Sequence, residues 1–184
     1  MLRKVVVLFL GVWFFGVFAI AEDINLDKLK AQLIKHEGKK SKVYKDSKGI
    51  PTIGVGFNLT RSDAKSKIEA LGLDYRKIVS GDLELSEPQI DSLLSDDIKT
   101  AIADATSSVK TFDKLSDVRK RVVVDMVFNL GKTRFLKFKD TIAALEKEDF
   151  DTAAKEMTDS KWCKQVKTRC TTLVGMMKSG SDPN

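Results

Sequence analysis

The sequence predicts an α+β fold that is mostly helical, with an antiparallel β-hairpin near its start. Three observations predict it. Residues 42–57 carry β-branched and aromatic flanks around Asp46-Ser47-Lys48-Gly49, a turn by its chemistry. Residues 86–107 open on Ser86-Glu87-Pro88-Gln89 and continue with apolar side chains at helical spacing. Residues 117–131 are apolar nearly all round, the pattern of a buried helix.

The first segment reads as a targeting signal. Arg3 and Lys4 precede an apolar run, and Ala19-Ile20-Ala21 is a small-x-small pattern before acidic Glu22-Asp23. This predicts a secretory signal peptide over residues 1–21. The alternative is an uncleaved signal anchor in the inner membrane, although the run falls short of the ~20 residues of a typical span. Next, Leu26, Leu29, Leu33 and Ile34 share one helical stripe, and Gly38 reads as the stop.

The hairpin follows. In its second strand Ile53, Val55 and Phe57 share one face, and Thr52, Gly54, Gly56 and Asn58 share the other. That second face is nearly bare backbone carrying a hydroxyl, a surface a ligand can approach closely. An edge strand with bulges is the plainer reading, and Pro51 fits it equally well.

Helices account for the rest. Residues 61–71 form a short one with Thr60 as cap. Ser86, Pro88 and Gln89 start a long one whose stripe is Ile90, Leu93, Leu94, Ile98, Ala101 and Ile102. Residues 117–131 contain Val122-Val123-Val124, a β-branched run that length and helical neighbours keep from being a strand. Residues 140–147, 150–160 and 168–177 complete the set, and Trp162 reads as core.

Length and composition fit one globular domain. The chain has 184 residues, 42% hydrophobic and 32% charged, enough for a single core and too apolar for disorder. There is no repeat, low-complexity tract or Pro/Gly-rich linker. The formal charge is +6, of which Arg3 and Lys4 supply two, leaving +4 beyond the signal. That suits an anionic polymer. Lys and Arg are spread along the chain without a basic–aromatic motif, which argues against nucleic acid as partner.

Cys163 and Cys170 are the only cysteines. In an exported protein a lone close pair predicts a disulfide. They cannot meet on one straight helix, where ~10 Å of rise separates them. They meet if the chain turns between two short helices. No histidine partners them as a metal site, and nothing marks a thiol nucleophile.

The chemistry centres on Glu37. It falls four residues after Leu33 on the apolar stripe, in the last turn of its helix, where the dipole opposes negative charge. Both conditions favour a carboxyl that keeps its proton and can donate it. A solvated helix-end glutamate among Lys35, Lys39 and Lys40 fits the same position. Asp46 on a turn and Thr52 on the open strand face follow within sixteen residues. Two carboxylates in different environments are what glycosidic hydrolysis needs.

His36-Glu37-Gly38, Tyr44-Lys45-Asp46-Ser47-Lys48-Gly49 and Thr52-Ile53-Gly54-Val55-Gly56 resemble the active-site segment of the phage-type lysozymes. That family places a Glu, eight residues, an Asp, five residues and a Thr, and Glu37, Asp46 and Thr52 reproduce the spacing. Residues 115–119 and 126–131 resemble the family's central buried helix. Ser160-Lys161-Trp162 and residues 165–169 resemble its C-terminal segment. The likeness runs from about residue 26 to 178. Phe57 stands where a known member has histidine, and Asn129 where it has glutamine.

The resemblance implies a lysozyme-like architecture in which residues 22–184 form one domain. Residues 22–73 would form a small lobe with the hairpin, and residues 74–184 the connecting helix and a helical lobe. It implies a peptidoglycan muramidase, inverting, with Glu37 as general acid, Asp46 as ionised stabiliser and Thr52 holding water. It implies Arg169 facing the acid across the cleft, where a cation favours ionised Glu37. Phe128, Asn129 and Thr141 match sugar-cleft positions, and plain packing or capping is the alternative reading of each. No metal or organic cofactor is expected, and the expected state is a monomer exported to the periplasm or beyond. A non-catalytic wall-binding protein of the same fold and a lytic transglycosylase remain alternatives. The second has no need of Asp46 and Thr52.

Overall fold

The computed structural model describes residues 23–183. The signal segment expected over residues 1–21 lies outside them. The first helix, α1 (Leu26–Glu37), is capped by Asn25, whose side chain accepts from Lys28 N, and it ends at Gly38 with φ +77°. Leu29 and Leu33 are buried on its stripe, as the periodicity predicts.

The hairpin is a three-stranded antiparallel sheet instead. Strands β1 (Lys40–Lys45), β2 (Pro51–Gly54) and β3 (Phe57–Asn58) lie in that order. The expected second strand breaks at Gly54 and Gly56, both at positive φ, and the chain doubles back. Thr52 therefore has Tyr44 opposite it on one side and Asn58 on the other. Its face is not the open surface expected: Thr52 is only 3% exposed. Ile53, Val55 and Phe57 are buried, as read.

Short helices follow. α2 (Ala64–Ala70) starts later than the sequence suggests, because Asp63 rather than Thr60 occupies the cap position. Thr60 instead donates its hydroxyl to Asn58 Oδ1 at 2.7 Å. α3 (Tyr75–Ser80) went unread; Asp74 caps it by accepting from Arg76 N and Lys77 N. The long helix α4 (Glu87–Ser108) begins at a capping box, in which Ser86 N donates to Gln89 Oε1 at 2.9 Å. Its stripe of Ile90, Leu93, Leu94, Ile98 and Ala101 is buried.

A turn of 3-10 helix leads into α5 (Asp117–Leu130), then α6 (Lys132–Phe135), α7 (Lys139–Glu146), α8 (Phe150–Asp159), α9 (Lys161–Val166) and α10 (Thr168–Ser179). The core runs through α4, α5, α8 and α10, with Val122, Val123, Val124, Met157 and Leu173 fully buried. An α+β, mostly helical, lysozyme-like fold is what results.

α5 departs from its apolar reading in one respect. Asp117, Arg121 and Asp125 are buried at four-residue intervals, and half-buried Asn129 continues the row. Each meets α1 or its cap. Asn25 N donates to Asp117 Oδ1 at 2.7 Å, and Arg121 Nη1 donates to Gln32 Oε1 at 3.2 Å. Gln32 Nε2 donates to Asp125 Oδ2 at 2.7 Å. Asn129 Nδ2 lies 3.4 Å from Glu37 Oε1. A polar ladder thus fixes the register of two helices that apolar packing alone leaves free to slide.

Candidate active site

Glu37 ends α1 where the ladder ends. Its Oε1 accepts from Arg169 Nη1 of α10 at 2.5 Å, and its side chain is 21% exposed. Gly56 lies against it: a Cβ there would sit 3.2 Å from Glu37 Oε2. The carboxylate therefore packs on the glycine turn between β2 and β3 rather than on an open strand face. α1 ends at Gly38 and the turn between β2 and β3 passes through Gly56, so that the two meet.

Asp46 is held by its own turn. Its Oδ1 accepts from Lys48 N and Ile50 N, each at 2.8 Å. Among the described residues no donor is bonded to its Oδ2. Ile50 also joins Asp46 to Thr52, because Thr52 Oγ1 donates to the Ile50 carbonyl at 3.0 Å. One residue, Ile50, thus fixes the carboxylate through its N–H and the hydroxyl through its carbonyl.

Glu37, Asp46, Gly56, Phe128, Asn129 and Trp162 share the lining of a cleft of about 600 Å³. Thr52 and Arg169 stand behind that lining. Thr141 lies elsewhere, in an adjoining cavity of about 700 Å³ that reaches the cleft at Leu130, Arg134, Trp162 and Gln165. Trp162 is buried, as the sequence suggests, but its indole also serves the site. Nε1 donates to Asn129 Oδ1 at 2.9 Å, which turns the Asn129 amide towards Glu37.

Cys163 of α9 and Cys170 of α10 form the predicted disulfide, with Cα atoms 5.1 Å apart. The chain turns at Lys167, φ +46°, between the two short helices. The bridge joins the residues next to Trp162 and Arg169, both of which reach the neighbourhood of Glu37.

Asp125 was missed by sequence reading. It is fully buried and accepts from Arg169 Nε at 2.7 Å, and His36 Nδ1 lies 2.9 Å from its Oδ2. Burial alone pushes its carboxyl up. The His36 hydrogen bond and the Arg169 charge outweigh burial and hold it below the usual carboxylate range. Burial likewise lowers Arg169, but the Asp125 and Glu37 charges win and raise it. Tyr44 is raised by burial first, then by the charges of Glu37 and Asp46. The available signal was the four-residue spacing of polar residues 117, 121, 125 and 129 along a helix that reads as buried.

The arrangement offers two carboxylates on one cleft, one against a cation and one on a hydrogen-bonded turn. The phage lysozyme family model matches residues 34–178 of the chain. The chain belongs to the phage lysozyme family. Among curated relatives it is 26% identical over 164 residues to "Probable T4-type lysozyme 1" of Dictyostelium discoideum, covering 85% of this chain and 96% of that one. It is 29% identical over 171 residues to "Probable T4-type lysozyme 2" of the same organism, with the same coverage. It is 31% identical over 104 residues to the "Endolysin" of Salmonella phage P22, covering 56% of this chain and 61% of that protein. A member of the phage lysozyme family, it is a hydrolase of the lysozyme type.

Proposed function

We propose that this phage lysozyme family member is an exported muramidase. It cleaves the β-1,4 bond from N-acetylmuramic acid to N-acetylglucosamine in peptidoglycan, with inversion. The observation that carries the proposal is the sharing of one cleft by Glu37 and Asp46, with Gly56 clearing room for the Glu37 carboxylate.

Glu37 acts as the general acid. It opens on the cleft and donates its proton to the departing glycosidic oxygen. Two backbone N–H groups bond Asp46 Oδ1 and fix its carboxylate on the turn. Its Oδ2 faces the developing oxocarbenium charge and accepts from the attacking water. Thr52 steadies Asp46's turn by donating its hydroxyl proton to the Ile50 carbonyl, which leaves its oxygen to accept from the attacking water. A hydroxyl does not replace a carboxylate nucleophile, so water attacks directly and the anomeric centre inverts.

Phe128 and Asn129 line the cleft and would contact sugar, whereas Thr141 would meet substrate in the adjoining cavity. Export is supported by the signal-like residues 1–21 and by the disulfide. No helix among the described residues is long and apolar enough to cross a membrane. The test is clearing of a cell-wall suspension by wild type and by folded Glu37→Gln. Loss of clearing in the variant is the expected result; near wild-type clearing removes Glu37 from the role.

A further inference from the structure

Arg169 has two carboxylate partners, and they are not equivalent. Nε donates to Asp125 Oδ1 at 2.7 Å and Nη2 lies 3.4 Å from the Asp125 carbonyl. Only Nη1 turns to Glu37. Asp125 has no exposed side-chain surface and also holds Gln32 and His36. Glu37 borders the cleft. A buried guanidinium needs a counter-charge, and removing it strands the other ion at high cost. A general acid bonded to that guanidinium must nevertheless become neutral.

We propose that Asp125 is the positioning residue that serves as the fixed counter-charge of Arg169, leaving Glu37 free to carry a proton while Arg169 still holds its carboxyl in place. The inference rests on the reading of Glu37 as the acid. It assigns the division of labour within the guanidinium: Nε and Nη2 are anchored on α5, and Nη1 is the steering contact. His36 and Gln32 complete the anchor by bonding Asp125 Oδ2.

Other charged groups face Glu37 as well. Tyr44 comes from β1, Asp46 and Lys48 from the turn after it, and Arg134 from α6 on the cleft wall. His36 precedes Glu37 on α1 and points to Asp125. None of these bonds Arg169 among the described residues. Asp125 is the one fixed anion that does.

The experiment compares pH profiles of peptidoglycan hydrolysis for wild type, Asp125→Asn and Glu37→Gln. With Asp125 neutralised, Arg169 has only Glu37 as carboxylate partner, and the ionised acid is favoured. The alkaline limb of Asp125→Asn is expected to move down by about one pH unit or more, while Glu37→Gln is inactive throughout. Uniform loss of activity with an unmoved limb overturns the proposal. Activity in Glu37→Gln overturns the underlying assignment of the acid instead, which keeps the two failures distinct. A carboxyl ¹³C NMR titration of the wild-type protein decides the matter if Asp125→Asn fails to fold. Asp125 is expected to stay ionised through the whole Glu37 titration. Proton uptake by Asp125 at or above the pH of Glu37 overturns the proposal.

Discussion

A Cβ placed on Gly56 would lie 3.2 Å from Glu37 Oε2 and 3.5 Å from its Cδ, at a backbone φ of +70°. Strand turn and candidate acid are thus fitted to each other, and two separate costs attach to any side chain there.

Gly56→Ala is expected to lose about 1–2 kcal/mol from the left-handed backbone alone. Displacement of the Glu37 carboxylate should reduce hydrolysis at least tenfold beyond the effect on folded fraction. Thermal melts and wall-clearing rates on the same preparation check both. Wild-type activity in a destabilised Gly56→Ala would show that the carboxylate position is not critical.

The legible part of this site was the part written in local chemistry. Gly38 ending α1, the Asp46 turn, the Ser86–Gln89 capping box and the isolated cysteine pair each depend on neighbours a few residues away, and each is found as read. Asp125 depends on Gln32, His36 and Arg169, which lie 44 to 93 residues away along the chain. The apolar runs at 122–124 and 126–128 made α5 read as apolar nearly all round, and the stripe of polar side chains at four-residue intervals was passed over. The single hairpin became three strands because β3 is two residues long, below what alternation can reveal. Thr52 was placed on the correct strand, but its burial follows from β3 folding back beside it.

Reduction of Cys163–Cys170 should cost about 2 kcal/mol, since the bridge closes a loop of few residues. A Cys163→Ala/Cys170→Ala variant should show a lower urea midpoint with an unchanged slope, and it should still fold. Unchanged stability in that variant would show that the α9–α10 corner is fixed by packing alone.

Acid should weaken the fold through Asp125. Its folded pKa is depressed, so its contribution is fully present above the ordinary carboxylate value of ~3.9 and is lost as pH falls through the lower folded value. Urea midpoints should be flat above about pH 5 and fall below about pH 4. The fall should be shallower in Asp125→Asn, which starts less stable. An identical acid slope in the variant would place the titrating group elsewhere.

Tyr44 offers a spectroscopic view of the same carboxylates. Its phenol is raised by burial and then by the charges of Glu37 and Asp46. In a Tyr75→Phe background the phenolate absorbance reports Tyr44 alone, because the chain has two tyrosines. Adding Glu37→Gln should move that titration to lower pH, since one of the two anions is gone. No movement would mean that Tyr44 does not feel Glu37.

The central claim, acid-catalysed hydrolysis by Glu37, is tested most directly by mass spectrometry of fragments released from purified peptidoglycan. Wild-type protein should release fragments with reducing N-acetylmuramic acid ends, and folded Glu37→Gln should release none. Anhydro-muramic ends, no fragments from wild type, or equal release by Glu37→Gln would contradict it.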